Sequence, residues 1–168
     1  FTWRYVEKGD STIIEKQYTP QKFYEEAVEP HLGNYIMLMD VPSKEYYKYY
    51  EIEWNRNRYD GSNWKFVNVP SEELAKYAKK SILNDEAMYF SCDVGAQLNR
   101  DAGLLDVDNY DYESLFGVSF DMNKKERILS YESGSTHGMA LIGIDTAATG
   151  EVQKWLLENS WGLEAGYK

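Results

Sequence analysis

The stretch STHGMALIGID at residues 135–145 and the stretch KWLLENSWG at residues 154–162 decide the predicted fold around the functional site. Both stretches are largely apolar, whereas residues 146–151 (TAATGE) between them are polar and contain a glycine. Two apolar runs joined by such a segment predict a β-hairpin. If the hairpin is symmetric about Ala148, position 137 lies directly opposite position 159, because both are equally far from that residue.

This predicted pairing brings His137 and Asn159 together. Directly opposed residues have Cβ atoms about 4.5–5.5 Å apart, which is within hydrogen-bonding reach for these side chains. An asparagine oxygen that accepts from one imidazole N–H fixes the tautomer and the orientation of the ring. The other ring nitrogen then takes a proton from a thiol, and the thiolate attacks an acyl carbon. The alternative is a structural histidine beside a turn asparagine, but the Trp161 and Gly162 that follow Asn159 favour the catalytic interpretation.

Several sequence blocks resemble one enzyme family. The dipeptide TH at 136–137 and the block ENSWG at 158–162 resemble the His and Asn regions of papain-like cysteine peptidases. Other blocks narrow the resemblance to the bleomycin hydrolase and bacterial aminopeptidase C branch. They are FTW at 1–3, TP at 19–20, FY at 23–24, CDVG at 92–95, LFGVS at 115–119 and MNK at 122–124.

The resemblance implies a papain-like fold and a thiol aminopeptidase. It makes His137 the catalytic base and Asn159 its orienting partner, and it places the nucleophile and the oxyanion-hole glutamine in a lobe that precedes Phe1. Residues 1–168 would then be a single partial domain that ends before the last strands and the C-terminal tail of the family. The implied substrates are peptides with a free N-terminus, cleaved through a thioester without a cofactor. The resemblance also implies a homo-oligomer, a hexamer with active sites that face an internal cavity.

The composition argues against several other classes of function. The formal net charge of −10 argues against nucleic-acid binding, because phosphates would be repelled. No apolar run approaches 18 residues, so no transmembrane helix and no membrane partner are expected. The single cysteine excludes an internal disulfide framework, and no Cys/His cluster has zinc spacing. A single cysteine favours a reducing compartment, and we expect a cytoplasmic protein.

Local patterns predict a mixture of helices and strands. Thr19 followed by Pro20 predicts a helix that ends near Pro30, and Ser71 followed by two glutamates predicts a second, capped helix. The predicted buried face of the second helix comprises Leu74, Tyr77, Ala78 and Ile82. Further predicted elements are a strand over 34–41, a hairpin or extended excursion over 44–69, a strand over 87–90 and an acidic turn-rich stretch over 106–112. The predicted helices lie mainly in the first part of the chain and the antiparallel strands in the later part. This order predicts the α+β class, with the His/Asn hairpin in an antiparallel β lobe.

Cys92 is a second candidate nucleophile because it is the only cysteine. It follows an apolar strand and precedes Asp93, whose charge raises the pKa of a neighbouring thiol. This context favours a structural role for Cys92. The other histidine, His31, is predicted to be a surface or capping residue.

Three interpretations stay open: the His/Asn-bearing part of a thiol aminopeptidase, a binding or regulatory module that kept the peptidase fold without its nucleophile, and an independent hydrolase that uses Cys92.

Overall fold

Antiparallel strand pairs make up most of the regular structure in this protein. The computed structural model describes residues 1–7, 9–28 and 32–161, and the chain separates into two units, Phe1–Ile36 and Met37–Lys168. Within the described ranges the strands form four small sheets, in which one strand pair is parallel. No helix in those ranges is long and apolar enough to cross a membrane. The mixed helix and strand content agrees with the predicted α+β class.

The first unit begins with strands, so the prediction that helices come first is wrong. Its elements are the antiparallel strands β1 (Thr2–Val6) and β2 (Ile13–Gln17), helix α1 (Pro20–Phe23), a π-helical turn (Tyr24–Val28) and a 3-10 turn (Leu32–Asn34). The Oγ1 of Thr19 accepts a hydrogen bond from the backbone N–H of Lys22 at 3.2 Å, which confirms the predicted helix start. The predicted helix end near Pro30 and the predicted role of His31 lie outside the described residues.

The second unit carries the remaining strands and helices. They are β3 (Leu38–Met39), β4 (Lys48–Ile52), β5 (Trp64–Asn68), α2 (Ser71–Leu83), β6 (Met88–Cys92), β7 (Leu98–Asn99), β8 (Leu104–Leu105), α3 (Tyr112–Phe116), α4 (Lys124–Leu129), β9 (His137–Thr146) and β10 (Val152–Glu158). One sheet has the strand order β3-β5-β4, and another has the order β10-β9-β6. Strand β9 is therefore paired along both of its edges.

Strand β5 contributes the most deeply buried side chains of the second unit. Phe66 is 2% exposed, and Asn68 is completely buried. The Oδ1 of Asn68 accepts a hydrogen bond from the backbone N–H of Val41 at 2.8 Å. Its Nδ2 donates to the carbonyl oxygens of Val41, Lys44 and Glu45, at 3.1, 3.2 and 3.1 Å. A buried amide with both ends satisfied holds the loop between β3 and β4 against the sheet.

The strand predicted over residues 34–41 is much shorter in the structure. Only Leu38 and Met39 pair, in parallel, with two residues of β5, and Asn34 belongs to the 3-10 turn. An apolar run indicates burial, but it does not reveal how many residues find a partner strand. Of the two alternatives predicted over residues 44–69, a hairpin or an extended excursion, the structure shows the hairpin, as the antiparallel pair β4–β5.

Helix α2 differs from the prediction at its start and on its buried face. Its N-cap residue is Pro70, so the prediction that Ser71 caps the helix is wrong; the Ser71 hydroxyl hydrogen-bonds to Asp40. Three of the four residues predicted for the buried face are half-buried: Leu74, Ala78 and Ile82. The fourth, Tyr77, is 49% exposed and lies outside that face.

The carboxylate of Asp40 joins three segments of the second unit. Its side chain is only 5% exposed. The Tyr46 hydroxyl donates to its Oδ1 at 2.9 Å, the Lys124 ammonium donates to its Oδ2 at 2.6 Å, and the Ser71 hydroxyl also donates to Oδ2. Burial raises the pKa of this carboxyl, but the hydrogen bonds from these three donors outweigh burial and hold the pKa below the ordinary value of 3.8.

We predict that Asp40→Asn lowers the free energy of unfolding by about 2 kcal/mol near neutral pH, because hydrogen bonds to a buried charged acceptor are lost. A carboxyl with a lowered folded-state pKa stabilises the protein fully above its ordinary pKa. This stabilisation is lost as the pH falls through the lowered pKa. The difference between wild type and variant should therefore shrink in acid. Urea unfolding at neutral pH and at a series of lower pH values measures both effects.

Asp60→Asn is the matched control for this prediction. The Asp60 side chain is 72% exposed and pairs with Arg58, itself 71% exposed, so its loss should change stability by less than about 0.5 kcal/mol. Equal destabilisation by the two substitutions, or an Asp40→Asn effect that stays constant in acid, would contradict the role of Asp40.

A second prediction concerns Gly138 of β9, which lies under the Tyr89 ring of β6. A Cβ at Gly138 would stand 2.8 Å from both the Cε2 and the hydroxyl oxygen of Tyr89. Because Tyr89 is 64% exposed, its ring can turn aside, and we expect Gly138→Ala to cost about 1 kcal/mol. Tyr89→Ala should remove most of that cost, as thermal unfolding of both single variants and the double variant would show.

Gly134→Ala serves as the control for Gly138→Ala, since nothing lies within 4 Å of a Cβ at Gly134. Additive effects of Gly138→Ala and Tyr89→Ala would mean that the two residues do not meet as described.

Candidate active site

The hairpin formed by β9 and β10 carries His137 and Asn159 at the end away from its turn. His137 is the first residue of β9, and Asn159 directly follows the last residue of β10. The last pair of this ladder joins Glu158 to Ala140, whereas symmetry about Ala148 would join Glu158 to position 138. The predicted register, with position 137 directly opposite position 159, is therefore wrong by two residues.

The turn of the hairpin accounts for this difference. Ala147 donates its N–H to the carbonyl of Glu151 at 2.9 Å, and Gly150 donates to the carbonyl of Ala147 at 2.8 Å. Gly150 adopts a φ of +84°, which favours glycine. The turn is thus centred one residue after Ala148, and this moves the pairing by two. One bulge in each strand, at Gln153 and at Ile142, leaves the net register unchanged because the two offset each other.

A shift of two residues preserves the face on which each side chain lies, because the side-chain period of a strand is two. Asn159 consequently lies diagonally across from His137, and diagonal neighbours remain within reach of long side chains. The Nε2 of His137 and the Oδ1 of Asn159 are 3.0 Å apart. The predicted contact between the two side chains is present, although the predicted register is not.

The hydrogen-bond partners of Asn159 define the tautomer of His137. The Oδ1 of Asn159 also accepts the backbone N–H of Ser160 at 2.8 Å, which identifies this atom as the amide oxygen. An oxygen can only accept, so Nε2 of His137 carries the proton and donates it to Asn159. Nδ1 therefore has the free lone pair, and it is the nitrogen that can take up a proton.

Trp161 covers the imidazole of His137. The two rings are stacked, with centroids 4.8 Å apart and an interplanar angle of 28°. The guanidinium carbon of Arg100 lies 5.2 Å from the centroid of the same indole. Stacking on a half-buried tryptophan restricts the rotation of the imidazole, and cation–π attraction holds the arginine beside it.

Strand β6 fixes the backbone at His137 from the other side. The Ser91 hydroxyl donates to the carbonyl oxygen of His137 at 3.0 Å. The backbone N–H of Thr136 donates to the carbonyl of Cys92 at 3.0 Å, and the Oγ1 of Thr136 accepts from the N–H of Val94, also at 3.0 Å. These bonds hold the backbone of His137 at the end of its strand.

Cys92 is the residue of β6 that pairs with His137. The thiol is half-buried and free. Burial raises its pKa above the ordinary value, and the charge of Asp93 raises it further. The sequence prediction named the Asp93 effect but missed burial, which is the larger cause. A thiol with a raised pKa is a poor nucleophile near neutral pH.

A cavity of about 500 Å³ adjoins His137 and Trp161. Val94 is among its apolar lining residues, and Arg100 and Asp101 supply its charges. No sequence pattern predicts this cavity, because NRDAG at 99–103 has the composition of an ordinary polar loop. Among the residues that the structure describes, no group of three or more His, Cys, Asp or Glu side chains is arranged to hold a metal ion.

Comparison with known proteins identifies the family. A model of the Peptidase C1-like family matches residues 1–168. Aminopeptidase C of Lactococcus lactis subsp. cremoris is 40% identical over 152 residues, which cover 89% of this chain and 35% of that protein. Bleomycin hydrolase of Homo sapiens is 37% identical over 175 residues, which cover 100% of this chain and 38% of that protein.

A solved structure agrees with these relatives. The crystal structure of PepW from Lactobacillus rhamnosis HN001 matches with a TM-score of 0.86 at 31% identity, covering 99% of this chain and 37% of that one. The chain thus spans well under half the length of the relatives that it matches. The resemblance predicted from the sequence motifs is confirmed: the chain has the fold of, and belongs to, the Peptidase C1-like family.

Proposed function

We propose that residues 1–168 form the part of a thiol aminopeptidase that carries the catalytic base and its orienting partner. The observation that carries this proposal is the 3.0 Å hydrogen bond between His137 Nε2 and Asn159 Oδ1. The names of the relatives supply the reaction class, since they are aminopeptidases and bleomycin hydrolases. In this proposal, the antiparallel sheet β10-β9-β6 belongs to the β lobe that presents this pair.

In the proposed mechanism, His137 acts through Nδ1. Asn159 holds the Nε2 proton, so Nδ1 accepts the proton of a cysteine thiol, and the resulting imidazolium stabilises the thiolate. The thiolate attacks the carbonyl carbon of the first peptide bond. His137 then gives the proton to the leaving amine, a thioester remains, and water hydrolyses it with His137 as the base.

The proposal places the nucleophile outside residues 1–168. Cys92 has a raised thiol pKa, and the relatives are long enough to contain a further lobe, since this chain spans 35% of one and 38% of another. The proposed substrates are peptides with a free N-terminus. Assembly into a homo-oligomer and a cytoplasmic location stay predictions from sequence.

In the full-length protein, we predict that His137→Ala removes nearly all activity, because it deletes both the proton acceptor and the counterion of the thiolate. Asn159→Ala should lower kcat/KM by at most about 10²–10⁴-fold, since the ring remains but loses its orientation. The double variant should then be hardly worse than His137→Ala. The measurement is kcat/KM of all three variants on one aminoacyl substrate.

Asn63→Ala is a suitable control, because the Asn63 amide bonds to Glu51 in the β4–β5 hairpin and not to a residue of the candidate site. Losses that add up for His137→Ala and Asn159→Ala would show that the two residues act independently. Full activity of His137→Ala would refute the proposed role of the histidine, whereas a wild-type protein without aminopeptidase activity would favour a binding or regulatory module.

One observation favours a second candidate, an independent hydrolase that uses Cys92. Cys92 lies directly opposite His137 in the β6–β9 ladder, so the two side chains share a face of the sheet. The raised pKa of the Cys92 thiol opposes this candidate. No hydrogen bond joins the thiol to the imidazole among the contacts of the described residues.

We predict that Cys92→Ser in the full-length protein keeps kcat within about tenfold of wild type and lowers stability, because a hydroxyl is poorly accommodated at a partly apolar site. Residues 1–168 alone should not release amines from an aminoacyl substrate. The two measurements are turnover and thermal unfolding. Turnover by the isolated chain that iodoacetamide blocks, or a loss of several orders of magnitude in kcat with the fold intact, would favour Cys92 as the nucleophile.

A further inference from the structure

The cavity beside His137 has a mixed lining of apolar side chains, polar groups and the exposed cation Arg100. Val94 and Leu98 supply apolar surface, Tyr110 adds an aromatic ring, and the volume of about 500 Å³ accommodates one or two amino-acid residues. Arg100 lines the same cavity, with its guanidinium held over the Trp161 indole at 5.2 Å. No ion pair of Arg100 occurs among the described residues.

The chemistry of the proposed function indicates which part of a peptide enters this cavity. His137 gives its proton to the leaving amine, so the residue that follows the scissile bond lies against the imidazole. An enzyme that removes one N-terminal residue has a single residue on the acyl side and the whole remaining peptide on the leaving side. The cavity adjoins His137 and Trp161, and the leaving portion is the larger part to be accommodated.

We propose that Arg100 selects a carboxylate in the leaving portion of the peptide, beside His137; the inference rests on the proposed aminopeptidase function. A guanidinium presents a planar pair of N–H donors that matches both oxygens of a carboxylate. Contact with the indole orients Arg100, so less conformational entropy is lost when it binds an anion.

Asp101 is the opposing charge in the cavity, because it lines the same wall as Arg100. Its carboxylate repels an incoming carboxylate and favours a cation. The structure shows no hydrogen bond that fixes the Asp101 side chain among the described residues, whereas Arg100 is anchored on Trp161. We expect Arg100, which contacts Trp161, to determine the preference and Asp101 to weaken it.

Two parts of a peptide supply such a carboxylate: an acidic side chain on the residue after the scissile bond, or the free C-terminus of a dipeptide. A comparison of Ala-Glu-Ala-amide with Ala-Gln-Ala-amide as substrates tests whether an acidic side chain is preferred. A comparison of the dipeptide Ala-Ala with Ala-Ala-amide tests whether a terminal carboxylate is preferred. Release of alanine by the full-length protein gives kcat and KM for all four peptides.

We expect wild type to prefer the acid in at least one of these pairs by about tenfold, mainly through KM, since a charge-assisted bidentate contact is gained. Arg100→Gln should abolish the preference, and Arg100→Lys should retain part of it because lysine is a point charge without the planar fork. Asp101→Asn should strengthen it. Arg58→Gln, which removes an arginine 71% exposed and paired with Asp60, is the control and should change nothing.

Calorimetric binding of the leaving fragments Glu-Ala-amide and Gln-Ala-amide, and of alanine and alaninamide, to the full-length protein after its nucleophile has been blocked with iodoacetamide provides a readout without turnover. The Arg100-dependent preference should appear in these dissociation constants as well. If no peptide is cleaved, the proposed function fails, while the binding data still decide the present inference. A preference that survives Arg100→Gln, or equal affinity of wild type for acid and neutral members of both pairs, would overturn it.

Discussion

Pairing of β9 along both of its edges is the constraint on which the candidate site depends. One edge bonds to β10, which ends beside Asn159, and the other bonds to β6, which ends at Cys92. His137 lies at the end of this central strand, so its backbone position is set by strand pairing and does not depend on the contacts of its side chain. Catalytic groups need placement to a fraction of an ångström, and a centrally paired strand supplies it better than a loop does.

The part of the site that was predictable from sequence is the part that depends on strand periodicity. Apolar patterning located both strands of the hairpin, and the predicted pairing of positions 137 and 159 placed His137 and Asn159 on one face. The error of two residues in register left that assignment intact. A slip of one would have separated the side chains. The glycine at position 150 was visible in the sequence, but the turn centre that it selects depends on backbone hydrogen bonds that no local pattern reveals.

Features built from distant segments were not predictable. Serine is a common N-cap residue, but the hydroxyl of Ser71 instead contacts Asp40, thirty-one residues earlier. Lys124 completes this cluster. Arg100 is one polar residue of a loop until folding brings Trp161 beneath it. The family motifs pointed to the candidate pair because they combine local sequence with an inherited fold, whereas propensity reports only local preference.

The negative net charge of the chain and the positive charge of Arg100 affect different stages of binding, namely encounter and the bound state. The net charge of −10 on residues 1–168 produces a diffuse field that favours cationic groups and disfavours carboxylates. Salt screens this field over about 8 Å at physiological ionic strength, so it influences encounter more than the bound state. In the proposed selection, Arg100 would act by direct contact, beside the indole that stacks on His137. The overall negative charge therefore does not prevent the proposed selection of a carboxylate in the cavity. Salt weakens the long-range repulsion, whereas the contact with Arg100 is direct.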